Sequence, residues 1–175
     1  MFGKRSTPLL LSTVLLSVMS VCHAEDASLK VTGTVAASVC KVTYSPTVNI
    51  GVFAGGDFPT AGSTSALKAM NINLTRCYPG LTLVKLKFSG VNDPDNPALL
   101  AVSDDGSGAQ LATGVAIELM DNTMKTIPFN SEEPLTYAIN KGMTTLSFLL
   151  RYKSTRDEVT AGEAAALLYF DLFYQ

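Results

Sequence analysis

Tryptophan is absent from this 175-residue chain, histidine occurs once, at His23, and cysteine three times, at Cys22, Cys40 and Cys77. No apolar run reaches the roughly 20 residues that a helix needs to span a membrane. The stretch Leu9 to Val21 follows Lys4 and Arg5 and ends on Cys22-His23-Ala24, the basic, apolar and small-residue order of a signal peptide cleaved after Ala24. Lipidation at Cys22 is the alternative reading, but Val21 is a poor residue before a lipidated cysteine. Cleavage leaves about 151 residues, which suits a single domain. It also removes the histidine, one cysteine and two of the 13 basic residues, against 15 acidic ones, so the exported chain carries about −4. Nucleic acid is not an expected partner of such a chain.

In an oxidising compartment Cys40 and Cys77 are expected to pair, closing a loop of about 38 residues worth roughly 4 kcal/mol in the chain-entropy picture. An exported chain with no histidine and no free thiol lacks Ser-His-Asp and Cys-His nucleophiles and the commonest metal ligand. Glu132-Glu133 and Asp157-Glu158 are neighbours in sequence, but neighbours on an extended chain point to opposite faces, and both pairs fall in turn-like stretches. They read as solvated charges. Asp93, Asp95, Asp104 and Asp105 have no calcium-loop spacing and read as turn formers that bond their own backbone. Asn73-Leu74-Thr75 matches a glycosylation acceptor but sits in a strand-like run. No catalytic residue, metal, cofactor or small-molecule substrate is expected.

What the chain does contain is short apolar-rich segments bounded by Gly, Pro, Asn and Asp. Val48 to Phe53, Met70 to Arg76, Val84 to Val91, Val115 to Met120, Leu146 to Tyr152 and Leu167 to Tyr174 are expected strands. Met70, Ile72 and Leu74 share one face, as do Leu146, Phe148, Leu150 and Tyr152. With turns such as Asp93-Pro94-Asp95-Asn96-Pro97 between them, they point to an all-β sandwich. Ala161 to Leu168 has helical propensity, but its strand-like continuation makes the chain's end a strand. Before Cys40, Ala27, Leu29, Val31, Gly33, Val35, Ala37 and Val39 alternate with polar residues, giving an extended segment with one apolar side. Leu168, Phe170, Leu172 and Tyr174 repeat that pattern one residue from the C-terminal Gln175.

At these residues the chain resembles the type 1 pilin family of Gram-negative chaperone–usher fimbriae. The likeness rests on Leu29-Lys30-Val31-Thr32-Gly33-Thr34-Val35 leading to Cys40, and on the alternating run that closes at Cys77. It rests also on Gly162, fourteenth from the C-terminus, and on the penultimate Tyr174; Phe88-Ser89-Gly90-Val91 through Leu99-Leu100-Ala101 looks like the middle of minor tip subunits.

The resemblance implies an immunoglobulin-like sandwich that lacks its last strand and is completed by strands from other proteins. Residues 1–24 would then be the signal peptide, 25–33 a donor extension and 34–175 the pilin domain. Ala27, Leu29 and Val31, with Gly33 at the boundary, would be the donor strand. Phe170, Leu172, Tyr174 and the carboxylate of Gln175 would form the strand that faces first a periplasmic chaperone and then, at an outer-membrane usher, the neighbouring subunit. Main-chain bonds would supply affinity and side-chain pockets specificity. The eight residues before Gly33 reach roughly 26 Å at about 3.3 Å each, longer than a typical strand. The short lead Glu25-Asp26-Ala27-Ser28 resembles minor tip-fibrillum subunits more than shaft pilins, and 151 residues, by the same count, leave no room for an adhesin's extra domain. A major shaft pilin, or a free-standing secreted sandwich that binds a ligand, is the competing expectation.

Overall fold

A computed structural model describes residues 39–175 apart from 105 and 107. These residues form eight strands: β1 Lys41–Tyr44, β2 Lys68–Thr75, β3 Leu83–Ser89, β4 Leu100–Ala101, β5 Val115–Asp121, β6 Leu135–Ala138, β7 Met143–Ser154 and β8 Tyr169–Tyr174. The only helical element among them is a 3-10 turn at Gly55–Asp57. One sheet runs β1-β2-β7-β5-β4 and the other β6-β3-β8, and every pairing of named strands is antiparallel. The fold is all-β, a two-sheet sandwich of immunoglobulin-like form.

The alternating runs face one another across the core. Ile72 and Leu74 on β2, Leu86 on β3, Leu119 on β5 and Leu146 and Phe148 on β7 are all essentially out of solvent. Phe88 and Tyr137 meet Phe148 edge-on, with centroids 4.9 and 6.1 Å away, the arrangement aromatic quadrupoles favour. Cys40 and Cys77 are joined, tying the start of β1 to the end of β2, where Lys41 lies opposite Thr75.

β5 is buried along both faces. Its outward Glu118, 2% exposed, is held by Arg151 Nε at 2.7 Å, Lys153 Nζ at 2.9 Å and the Thr126 hydroxyl at 2.8 Å. Burial pushes the Glu118 pKa up. The hydrogen bonds from Lys153, Thr126 and Arg151 outweigh it, and the carboxyl sits below its ordinary value. Aspartates expected to bond their own turns do so: Asp93 Oδ1 accepts from the amides of Asp95 and Asn96, and Asp104 Oδ1 from Gly106. Glu132, Glu133, Asp157 and Glu158 are all exposed.

Three expectations need correction. Val48 to Phe53 does not form a strand: the chain leaves β2 after Tyr44, and Pro46 has no N–H with which to continue the ladder. The last strand starts at Tyr169, not Leu167, because the preceding stretch is bonded elsewhere. Glu163 exchanges backbone bonds with Gln110 and Ala112, and Ala165 accepts from Ser103. Gly162 permits that docking, since a Cβ there would stand 2.4 Å from backbone atoms of Leu111 and Ala112. The same bonds leave no helical turn at Ala161 to Leu168. The third expected strand stops at Ser89 instead of Val91, where a Cβ on Gly90 would meet Leu100 at 2.3 Å.

Candidate functional site

Two strands lie at sheet edges on the same side of the sandwich. β1 is terminal in one sheet and β8 in the other, and they touch through Tyr44 and Phe170, whose rings meet edge-on with centroids 5.1 Å apart. Beyond that contact they diverge around a groove of about 850 Å³. One rim is residues 45–53; the other is residues 159–168 and the start of β8. Met70 and Ile72 of β2, Ile117 of β5 and Leu150 and Tyr152 of β7 line it between the rims.

The rims carry unspent hydrogen-bonding capacity. From Pro46 to Phe53 no backbone N–H or carbonyl bonds another described residue, and the same holds for the amides of residues 166 to 168. β8 uses only the edge that faces β3. Backbone groups beside apolar surface need partners, and water meets that need only while the groove stays open. An extended apolar segment meets both needs at once, offering a ladder to the rims and side chains to the space between.

Phe170, Leu172 and Tyr174 point inward and are half-buried against the core, whereas Tyr169, Asp171 and Phe173 point out. Phe170 lines the groove itself. Gln175 is locked to the neighbouring strand, its N–H donating to Leu83 O and its carbonyl accepting from Thr82 and Leu83. Burial pushes the Tyr174 phenol above its usual value, and burial with the nearby charge of Glu163 does the same for Tyr152.

The end of the groove near Gly162 is closed by side chains. Tyr152 donates its hydroxyl to Ala164 O at 2.8 Å and packs edge-on to Phe53 at 5.9 Å, which in turn meets Phe58 at 6.3 Å. Sequence reasoning named neither this aromatic end nor the rim 45–53 as parts of a site. The signal for the rim was Pro46, which interrupts an otherwise continuous extended stretch between Val42 and Ile50. Ala27, Leu29, Val31 and Gly33 lie outside the described residues.

Comparison with known proteins agrees with this architecture. The family described as "Fimbrial protein" matches residues 29–175. A fimbrial-like protein of Escherichia coli K12, YcbU, is 38% identical over 86% of each chain. A type-1 fimbrial protein subunit of Serratia marcescens is 34% identical over 95% of this chain and 96% of its own. Among solved structures, an antigen and type I fimbria protein of Burkholderia pseudomallei is 33% identical, with a TM-score of 0.58 over 78% of this chain and 90% of that one. The P pilus rod subunit PapA shares the fold, with a TM-score of 0.64 at 21% identity over 79% of this chain and all of that one.

Proposed function

The chain belongs to the fimbrial protein family, and on that premise we propose that it is a chaperone–usher pilus subunit whose open groove is filled by the N-terminal segment of a neighbouring subunit. Family membership makes it a structural subunit of a surface fimbrium, with other subunits as its partners. The observation that carries the finer reading is the pair of sheet edges, β1 with residues 45–53 and β8, that face one another across an apolar groove with backbone groups unpaired on both rims.

On this reading residues 1–24 direct export through the periplasm and are removed. Residues 25–33 are the donor, Ala27, Leu29 and Val31 are its apolar side chains and Gly33 marks its end. A periplasmic chaperone covers the groove first and the usher directs the exchange; without cover the rims and apolar lining invite aggregation. The short lead before Ala27 favours a minor, tip-fibrillum place in the fibre.

The test is a chain that begins at residue 34, studied with and without a synthetic peptide of residues 25–33. We expect it to aggregate or unfold non-cooperatively alone and to become a cooperative one-to-one complex with the peptide, read by thermal unfolding and size exclusion. A stable monomer indifferent to the peptide would refute strand donation and leave a free-standing sandwich.

A further inference from the structure

We propose that the two ends of the sandwich are complementary docking surfaces, so that a second copy of this chain seats its basic end on the acidic end of the first, beside the inserted strand. The proposal rests on the strand-donation reading above and adds to it a contact between the folded bodies.

The strand register sorts the exposed residues between two ends. Lys41 lies opposite Thr75, Thr75 opposite Met143 and Leu83 opposite Ala138, while Gln175 bonds Leu83. The start of β1 and the ends of β2, β6 and β8 therefore lie together. At that end Val39, Tyr78 and Met143 are 47%, 52% and 61% exposed, and the exposed cations Lys41, Arg76 and Lys141 surround them. The C-terminal carboxylate is the counter-charge, and its carbonyl oxygen already accepts two backbone amides. Apolar surface inside a charged rim is the anatomy of a protein–protein contact.

The opposite end, where β3 and β7 finish and β5 and β8 begin, has the reverse sign. Asp57, Asp104, Asp157, Glu158 and Glu163 are exposed there. Arg156 is held by Asp95 at 2.6 Å, so its charge is already met, while Lys68 is exposed and Lys87 lies half-buried opposite Asp171. Val52, at the same end of the groove's rim, is 97% exposed.

Chain geometry brings the two ends together. The donor extension joins its own body at Val39, at the basic end. A strand that enters the groove antiparallel to β8, as every named pairing here is antiparallel, starts at the acceptor's basic end and leaves at its acidic one. About six residues separate Gly33 from Cys40, a reach of roughly 20 Å at about 3.3 Å each. The donor's basic end is thereby delivered onto the acceptor's acidic end, where opposite charge speeds encounter and fixes which surface meets which.

The test follows multimer growth of the exported chain by light scattering, together with binding of a peptide of residues 25–39 by fluorescence anisotropy. The triple variant Lys41→Glu, Arg76→Glu, Lys141→Glu should assemble about tenfold more slowly than wild type at low salt, and the gap should close at about 0.5 M salt, where exposed charges are screened. Adding Asp157→Lys and Glu158→Lys to the same chain should restore the rate to within about twofold. Peptide binding should be unchanged throughout, and the Gln versions of the triple variant provide a gentler change if charge reversal impairs folding. Assembly indifferent to the reversal, or a compensating variant that restores nothing, overturns end-to-end docking between copies while leaving strand donation intact. Failure of the peptide to bind wild type overturns strand donation, and this proposal with it.

Discussion

β5 and β8 show a finished and an unfinished part of one sandwich. β5 is hydrogen-bonded along both edges, to β4 and β7, and buried on both faces, even at Glu118, whose charge is met by two cations and a hydroxyl. β8 has comparable apolar character but one ladder, one half-buried face and an outer face with Tyr169 and Phe173 about half exposed. The contrast teaches that sequence hydrophobicity and burial separate where a sheet lacks a strand: the apolar side chains are in place and their cover is not. A surface of that kind, rimmed by free backbone groups, is a template for β-addition.

Two phenylalanines test this contrast most directly. Phe148 is 1% exposed and packs on Phe88 and Tyr137, so Phe148→Ala should lower unfolding stability by about 3–5 kcal/mol, measured by denaturant titration of the peptide-complemented subunit. Phe170 is half-buried at the groove. In the same complemented subunit Phe170→Ala should cost about 1–2 kcal/mol and should also weaken donor-peptide binding. A cost at Phe170 as large as that at Phe148, with peptide binding unchanged, would mean that Phe170 belongs to the finished core and not to the groove. Cys40→Ser should cost about 2–5 kcal/mol, because it frees the start of β1, the edge on which one rim depends. Gly162→Ala should follow at about 1–3 kcal/mol. A methyl there strikes the backbone of Leu111 and Ala112, which cannot turn aside as a side chain would, and the expected readout is a lower melting temperature together with weaker donor-peptide binding.

Much of this was legible in the sequence, and the errors have a common cause. The period-2 runs at Met70 to Leu74, Leu146 to Tyr152 and Phe170 to Tyr174 became strands with the expected residues inward, because those faces bury enough apolar surface to fix register. β1, β4 and β6 went unforeseen: they have four, two and four residues, too few for a period to show. Val48 to Phe53 was misread in the opposite direction. Its alternation is real, since Val48 and Ile50 pack on the core and line the groove, but strand propensity measures fitness for a pleated, half-buried surface and cannot tell whether a partner is present. One rim of the site was therefore legible as a strand seeking cover, and the other was legible only as a strand it does not form. The closed end escaped notice because Phe53, Tyr152 and Gly162 are far apart in sequence and meet only through the fold.

The smallest effects belong to charged groups, and here too the finished part should respond where the open surface does not. Asp95 and Arg156 form an exposed pair at 2.6 Å that lowers the Asp95 pKa, chiefly through the hydrogen bond from Arg156. Exposed pairs of this kind contribute little net stability, and Asp95→Asn should leave the thermal midpoint where it is. Glu118 is different because its carboxylate is out of solvent. Glu118→Gln should cost about 1–3 kcal/mol, since Arg151 and Lys153 lose an ionised acceptor; both cations keep some solvent contact, which limits the loss. The pH dependence has a definite sign. A carboxyl whose folded pKa lies below its ordinary value of 4.5 contributes stability that is fully present above that value and is lost as pH falls through the folded pKa. The wild-type midpoint should therefore fall between neutral pH and pH values below 4.5, and the drop should be smaller in Glu118→Gln, measured by thermal unfolding of the peptide-complemented subunit. An identical acid drop in the two proteins would assign the acid sensitivity to other carboxylates, and would mean that the network behind β5 holds geometry without storing linkage to protons.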